Sequence, residues 1–327
     1  MPCIVILTLL LAACGGASPT TTSTATTAAG TARATTGAAA TTRTGTTTRP
    51  GATGTPGADA APRIGGTLTV FAAASLTDAF NEIKARIEGA NPGTTIAYNF
   101  AASSALRTQL EQGARADVFA SADQPQLDQA KRNGVIRDEG RVFVQNKPVI
   151  IVPANNPRNI ARPQDIANPG VKLVLAAAQV PIGNYARQIL DNMGRDPAYG
   201  SDFRQRALAN LVSDEANVRQ VVSKVQLGEG DAGIVYSSDV TPAVRGQLRV
   251  IAIPDNVSVT AQYPVAVVRG AANEEGARAF IDYLVSPDGQ RILEQWGFIP
   301  LDRAGVSVPD GTARELVPAP AVAKRDD

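Results

Sequence analysis

The sequence predicts an α/β fold, with largely parallel β-sheets flanked by helices, for residues 64 to about 308. Two observations lead to this prediction. Short apolar runs of strand length alternate along the chain with amphipathic patterns of helical period, and such alternation places helices between parallel strands. The segment is about 245 residues long, which is enough for one large or two ordinary domains.

The first residues, MPCIVILTLLLAAC, contain an apolar run from Ile4 to Ala13. This run is too short to span a membrane as a stable helix, so a signal-peptide core is the better interpretation. The run ends in Leu-Ala-Ala-Cys, which resembles a bacterial lipobox. The resemblance implies that residues 1–14 form a lipoprotein signal peptide, that Cys14 is lipidated and that it anchors the protein to the membrane.

Residues 15–63 consist mainly of Thr, Ala and Gly. They carry too little large apolar surface to offset the entropy lost on folding. We therefore predict a disordered tether between the lipid anchor and the folded domain. The C-terminal residues 311–327, which end in VPAPAVAKRDD, are predicted to form a flexible tail.

The first part of the folded segment alternates regularly between strands and helices. Its first helix is indicated by Leu76, Phe80, Ile83 and Ile87, which share one helical face, and by Gly89 as a stop. The predicted elements, in order, are a strand at 67–72, a helix at 76–89, a strand at 94–101, a helix at 104–113 and a strand at 116–123.

The pattern then repeats. A helix over 184–194 is indicated by Tyr185, Ile189 and Met193 at intervals of four residues. Pro287 is expected to break the terminal helical stretch into two. The other predicted elements are strands at 147–156 and 171–177, a helix at 217–230, strands at 231–239, 248–253 and 263–270, and terminal helices within 273–298.

Composition excludes several kinds of chemistry. The chain has no histidine, which removes histidine bases, His-based triads and His-metal sites. Its two cysteines are Cys3 and Cys14, so the folded part can hold neither a disulfide nor a Cys nucleophile. The formal net charge is +1, which gives no indication of nucleic-acid binding.

Serines follow two predicted strands at the point where a helix begins. Ser75 stands in VFAAASLTDAF, and Ser103 stands in NFAASSAL, each after small residues. In parallel sheets, ligands bind beyond the carboxyl ends of strands. Each hydroxyl, with nearby amides, could therefore donate to a bound anion. The alternative is that each serine merely caps its helix, since Ser75-Leu76-Thr77-Asp78 also fits a capping box.

Further candidates lie in the middle of the chain. Pro181 and Gly183 bracket Ile182 in a predicted turn before a helix, where the Ile182 amide could face a ligand. Val218 stands at the next helix start, and Tyr236 ends the strand GIVY. The alternatives are an ordinary turn, an ordinary helix start and a half-buried packing tyrosine.

Five segments together carry a specific resemblance. VFAAASLTDAF, FAASSALRTQLEQGARADVFASAD, VPIGNYARQIL, GIVYSSD and YPVAVV occur in this order. From residue 64 to about 300, the chain resembles the periplasmic molybdate-binding proteins of ABC importers, the ModA family. The resemblance implies a two-lobed type II periplasmic-binding-protein fold that holds a tetrahedral oxyanion between its lobes. It implies lobe 1 at 64–147 and 261–310, lobe 2 at 148–260, and hinges near 146–149 and 259–263.

The resemblance also implies the ligand contacts. Ser75 and Ser103 would donate from lobe 1 through hydroxyls and amides, Ile182 and Val218 through backbone amides, and Tyr236 through its phenol. Ile182 replaces the alanine frequent in the family, and the SDEA before Asn217 departs from its pattern. No side chain would bind the metal directly, and no cofactor is expected.

The partners implied are molybdate and tungstate, a membrane permease and its ATPase. The protein would act outside the cytoplasm as a lipid-anchored monomer and not as an enzyme. Three alternatives remain: a binding protein for sulfate or another tetrahedral oxyanion, a serine hydrolase and a surface adhesin or sensor ectodomain. The hydrolase lacks a base, because there is no histidine and no S-x-x-K pattern at Ser75 or Ser103.

Overall fold

The computed structural model describes residues 64–301. The signal peptide, the tether and the tail predicted from sequence lie outside these residues. The strands of the described part, in chain order, are β1 (Thr67–Ala73), β2 (Thr95–Ala101), β3 (Val118–Ala120), β4 (Arg141–Asn146), β5 (Pro148–Pro153), β6 (Leu173–Ala176), β7 (Leu211–Glu215), β8 (Ala232–Tyr236), β9 (Leu248–Ile251) and β10 (Ala261–Val267).

Helices connect most of these strands. In chain order they are α1 (Thr77–Ala90), α2 (Ser103–Glu111), α3 (Gln124–Arg132), α4 (Pro181–Arg195), α5 (Phe203–Ala209), α6 (Val218–Gln226), α7 (Pro242–Arg245), α8 (Glu274–Leu284) and α9 (Pro287–Gln295). Short 3₁₀ turns cover Ala74–Leu76, Pro163–Ala167 and Ser237–Asp239. No helix within residues 64–301 combines the length and the apolar character needed to cross a bilayer.

The strands form two five-stranded sheets of the same design. The first has the order β2-β1-β3-β10-β4 and the second the order β7-β6-β8-β5-β9. In each sheet four strands run in one direction and one strand, β10 or β5, runs against them. The predicted α/β fold with mostly parallel sheets is thereby confirmed.

The reversed strand in each sheet follows a crossover from the other sheet. It is the strand with which the polypeptide enters that sheet. The chain leaves the first sheet after β4, builds the second sheet from β5 to β9 and returns as β10. Two segments therefore connect the sheets, at Lys147 and at residues 252–260.

The hydrophobic periodicity identified the buried faces correctly. Phe80, Ile83 and Ile87 of α1 are fully buried, as the helical pattern predicts. The predicted breaker Pro287 is the first residue of α9, where its missing amide hydrogen costs nothing, and Ser286 caps that helix by accepting from the Gly289 amide. Burying such aliphatic and aromatic side chains stabilises the fold by about 1.5–3 kcal/mol each.

Several elements were not predicted, and the reasons differ. β7 has the sequence LVSDE and exposed residues at an edge of its sheet, so its pattern resembles a loop. The predicted strand 116–123 is shorter than expected, because it ends at Ala120. Asp123 instead caps α3 by accepting a hydrogen bond from the Gln126 amide at 3.0 Å. The helices α3 and α5 and the strand β4 were also missed.

Candidate functional site

A small cleft lies where helix starts from both sheets meet. It encloses about 220 Å³ of space, including its open mouth. A drug-sized ligand needs a few hundred Å³ or more, so the cleft suits one small molecule or ion. It is lined by Ala73, Ala74, Ser75, Ala101, Ala102, Ser103, Ala122, Val180, Pro181, Ile182, Asn217, Val218 and Tyr236.

All five candidate residues predicted from sequence line this cleft. Ser75 and Ser103 come from connections of the first sheet. Ile182 and Val218 come from helix starts of the second sheet, and Tyr236 ends its strand β8. Every lining side chain is uncharged. The geometry therefore brings together hydroxyl and amide groups without a neighbouring cation in the wall.

Three helices begin at the cleft wall, and two of them lack a side-chain cap. Ala102 precedes α2 and Val180 precedes α4, and neither side chain can accept a hydrogen bond from the first turn. The third helix, α6, is capped by Asn217, which accepts from the Gln220 amide at 3.2 Å. Helix starts expose unpaired N–H groups and carry partial positive charge, so this wall favours an anion.

The serines do not act as helix caps, which excludes the capping alternative. Ser75 lies inside the 3₁₀ turn before α1, and its Oγ is 2.9 Å from the Tyr263 hydroxyl. Ser103 is the first residue of α2, and its Oγ accepts a hydrogen bond from the Ala122 amide at 2.9 Å. The hydroxyl hydrogen of Ser103 remains available to a ligand.

The segment around Ile182 differs from the predicted turn. Pro181 is the first residue of α4, so Ile182 and Gly183 belong to the first turn of the helix. The Ile182 amide is consequently one of the helix's unpaired donors. A Cβ atom on Gly183 would lie 2.0 Å from the Ala177 carbonyl oxygen, so only glycine permits this close approach to the end of β6.

Tyr236 carries a buried hydroxyl that makes no hydrogen bond of normal geometry with any described residue. Its side chain is 1% exposed. The ring packs edge-on against Tyr263, with centroids 5.6 Å apart. Burial raises the pKa of Tyr236 well above its usual value, so the phenol remains a neutral donor. A buried unpaired hydroxyl is costly, and a ligand in the cleft would satisfy it.

A cluster of paired charges lies next to the cleft wall. Arg219, next to the lining residue Val218, donates from Nη2 to Asp78 at 2.6 Å and from Nε to the Ala74 carbonyl at 3.2 Å. Its Nε also lies 3.3 Å from Oδ1 of Asp239, an ion pair without good hydrogen-bond geometry. Arg219 therefore joins the second sheet to the first while balancing a buried carboxylate.

Two carboxyl groups near the cleft have displaced pKa values. Burial raises the pKa of Asp239 to about 6, although Arg219 and a hydrogen bond from the Tyr236 amide oppose the rise. Burial likewise raises the pKa of Asp123 to about 6, opposed by hydrogen bonds from the Gln126 amide and the Ser121 side chain. Both groups are stabilised in the protonated form relative to a solvated aspartate.

Sequence reasoning missed three residues that support the site: Asn146, Arg219 and Tyr263. Tyr263 was visible only as part of the segment YPVAVV, and Arg219 only as the neighbour of Val218. Nothing local indicated their partners, which lie far away in sequence. Ser75 contacts the neutral hydroxyl of Tyr263 rather than a base, so it is not held as an activated nucleophile. Within residues 64–301, no cluster of three acidic residues could hold a metal ion.

The two mixed sheets, with a small uncharged cleft between their helix starts, have the fold of a type II periplasmic binding protein. The family model described as bacterial extracellular solute-binding protein matches residues 68–299. "Molybdate-binding protein ModA" of Mycobacterium tuberculosis H37Rv is 37% identical over 232 residues, 71% of this chain and 84% of that protein. The chain belongs to this family of ModA proteins.

Two further relatives support the assignment to this family. "Molybdate-binding protein ModA" of Escherichia coli K12 is 33% identical over 240 residues, 71% of this chain and 89% of the relative. A solved structure described as the substrate binding domain of a putative molybdenum ABC transporter from Clostridium difficile is 28% identical, with a TM-score of 0.55, covering 72% of this chain and 99% of that one. As a member of an extracellular solute-binding family, the protein acts outside the cytoplasm and is not an enzyme.

Proposed function

We propose that this protein captures molybdate between its two lobes and delivers it to the membrane permease and ATPase of an ABC importer. The lobes would be residues 64–147 with 261–310, and residues 148–260. The observation that carries the proposal is the buried hydroxyl of Tyr236, which makes no hydrogen bond of normal geometry with any residue of 64–301, in a cleft lined only by uncharged groups. The printed names of the ModA relatives support molybdate as the solute.

The cleft matches the chemistry of this ligand. Molybdate is a dianion near neutral pH and offers only hydrogen-bond acceptors, while the cleft offers hydroxyl and amide donors. A hydrogen bond to a charged group contributes about 1.5–3 kcal/mol. Five such contacts, less the costs of desolvation and lobe closure, are compatible with a binding free energy of about −8 to −12 kcal/mol, or micromolar to nanomolar affinity. The donors are Ser75, Ser103, Ile182, Val218 and Tyr236.

Selectivity follows from the same donors. Monohydrogen phosphate carries an O–H that needs an acceptor, and a cleft of donors leaves that hydrogen unpaired. Sulfate is a bare dianion, so only the size of the cleft can discriminate against it, and sulfate is the alternative ligand. Tungstate has nearly the same size and shape as molybdate and should bind comparably. No cofactor is needed for this function, which a monomer can perform.

Titration calorimetry on residues 64–301 tests this function. We expect molybdate and tungstate to bind with similar affinity, sulfate more weakly and phosphate weakest. Tyr236→Phe should weaken molybdate binding about tenfold or more, because the ligand loses one hydrogen bond. Tyr283→Phe is the matched control, since its hydroxyl bonds Asp288 away from the cleft. Phosphate binding as tight as molybdate, or equal effects of both variants, would contradict the proposal, and preferred sulfate binding would support the alternative ligand.

The N-terminal segment gives the proposed mode of attachment. A thioether-linked lipid at Cys14, followed by the tether 15–63, would hold the binding domain near its permease. In a bacterial host, the full-length chain should sediment with membranes and Cys14→Ser should be released or remain unprocessed. A Cys3→Ser variant serves as the control, because Cys3 precedes the apolar run. Membrane attachment of a Cys14→Ser chain whose signal peptide has been removed would argue against a lipid anchor.

A further inference from the structure

Ser75 is held by a chain of buried side chains that begins at the connection between the two sheets. Its members are Asn146 at the end of β4, Tyr263 in β10 and Ser75 itself, which are 0%, 0% and 3% exposed. Asn146 Nδ2 lies 3.2 Å from the Tyr263 hydroxyl, and that hydroxyl lies 2.9 Å from Ser75 Oγ. Hydroxyl groups can donate or accept, so the direction of the chain must be derived from its fixed end.

The orientation of the Asn146 amide is determined by the backbone. The Lys147 amide donates to Asn146 Oδ1 at 3.0 Å. The Ser237 hydroxyl lies 3.0 Å from the same oxygen, but it shares its one hydrogen with the Gly297 carbonyl oxygen at 2.9 Å, so the Lys147 amide fixes the orientation. A backbone N–H can only donate, so a flipped amide would place two donors against each other. Nδ2 must therefore face Ser238 Oγ, at 2.8 Å, and the hydroxyl of Tyr263.

The orientation of the Asn146 amide determines the direction of the two hydrogen bonds that follow, at Tyr263 and at Ser75. Because Nδ2 has no lone pair to offer, the Tyr263 oxygen accepts from Asn146, and the Tyr263 hydrogen is left for another acceptor. Ser75 Oγ is the acceptor in place, since it lies 2.9 Å from the Tyr263 oxygen, whereas the Tyr236 hydroxyl makes no hydrogen bond of normal geometry with any described residue. Burial raises the pKa of Tyr263 well above its usual value, so the hydrogen stays on the phenol.

The hydroxyl hydrogen of Ser75 can then point only into the cleft. Ser75 Oγ already accepts from Tyr263, and no second partner for it exists among the described residues. Ser75 lines the cleft, so its own hydrogen faces the ligand. We propose that Asn146 and Tyr263 are specificity-determining positioning residues, which make Ser75 an obligatory donor and thereby reject oxyanions that carry a proton. This inference rests on the proposed function of the cleft.

The test compares the affinities of Tyr263→Phe for molybdate and for phosphate at pH 8, where phosphate is mainly the monohydrogen dianion. Without the phenol, Ser75 can turn and accept from the phosphate O–H. We expect molybdate binding to weaken about tenfold and the molybdate-to-phosphate affinity ratio to fall by at least that factor. A residue with only a structural role would weaken both anions alike and leave the ratio unchanged.

A second variant, at Asn146, replaces the hydrogen-bond donor that faces Tyr263 with an acceptor. In Asn146→Asp, a carboxylate oxygen replaces the donor, so Tyr263 donates to it and Ser75 can donate back to Tyr263, which turns the serine's lone pair toward the cleft. The affinity ratio should fall further, although the added charge weakens both anions. Thermal melting of each variant verifies that it is folded.

Tyr98→Phe is the matched control. Tyr98 lies in β2 of the same sheet as Tyr263, its phenol donates to the Phe80 carbonyl of α1 at 2.9 Å, and it does not line the cleft. Its affinity ratio should equal that of the wild type. An unchanged ratio in folded Tyr263→Phe overturns the positioning role while leaving the proposed function intact. A wild-type protein that binds no oxyanion overturns both.

Discussion

Gly183→Ala is expected to lower the free energy of unfolding by about 2–3 kcal/mol and to weaken molybdate binding at least about tenfold. The new Cβ atom would lie 2.0 Å from the Ala177 carbonyl oxygen and 2.4 Å from that of Ala176. Both obstacles are backbone at the end of β6, so they cannot rotate away. The start of α4 must move instead, and it carries the Ile182 amide out of the cleft.

Gly194→Ala provides the matched control within the same helix. The nearest atoms to its Cβ position belong to Arg204 at 3.8 Å, an ordinary contact distance. Alanine is the better helix former, so this variant should gain roughly 0.5–1 kcal/mol and bind the anion normally. Chemical unfolding and calorimetry measure both quantities. If the two glycine variants behaved alike, the close approach at Gly183 would not be the reason for that glycine.

Arg219→Met is the second substitution with a large expected effect. It leaves the fully buried carboxyl of Asp239 without its cation and removes the link from Arg219 to Asp78 and Ala74. Removing one partner of a buried ion pair costs about 3–5 kcal/mol, and we expect about 3 kcal/mol at pH 8 because Arg219 is partly exposed. Loss of the contact between the sheets should also disfavour closure and weaken anion binding.

The loss should depend on pH. The pKa of Asp239 is raised to about 6 in the folded protein, above its usual value of 3.8, so the folded state binds the proton more tightly. The contribution of Asp239 to stability is therefore fully present at about pH 4 and is lost as the pH rises through 6. Without Arg219 the pKa rises further, and the difference between variant and wild type should be small near pH 5 and large at pH 8. The parallel effect of Asp123 is present in both proteins and cancels.

A rescue variant and a control separate this explanation from a general packing defect. Arg219→Met with Asp239→Asn should recover much of the stability at pH 8, because no buried charge is left unpaired. Arg204→Met removes an exposed ion pair with Asp191 and should cost less than about 1 kcal/mol at either pH. Unfolding curves in urea at pH 5 and pH 8 measure all four proteins. A pH-independent loss in Arg219→Met would show that Asp239 is not the cause.

The amino-acid sequence by itself determined the fold class and the positions of the candidate ligand contacts. Strand and helix periods are local, so Phe80, Ile83 and Ile87 could be assigned to a buried face without knowledge of their neighbours. Ser75 and Ser103 stand where a strand gives way to a helix, and such junctions in α/β proteins lie at ligand-binding edges.

Only the tertiary structure decided what these residues contact. Ser75 bonds Tyr263, 188 residues away in sequence, instead of capping its helix, and Arg219 bonds Asp78, 141 residues away. The need for glycine at position 183 likewise depends on how closely α4 approaches β6. Contacts of this kind follow from the order of strands in the sheets, to which residues distant along the chain contribute together. Periodicity along the chain therefore locates the elements, whereas packing between them assigns the hydrogen-bond partners.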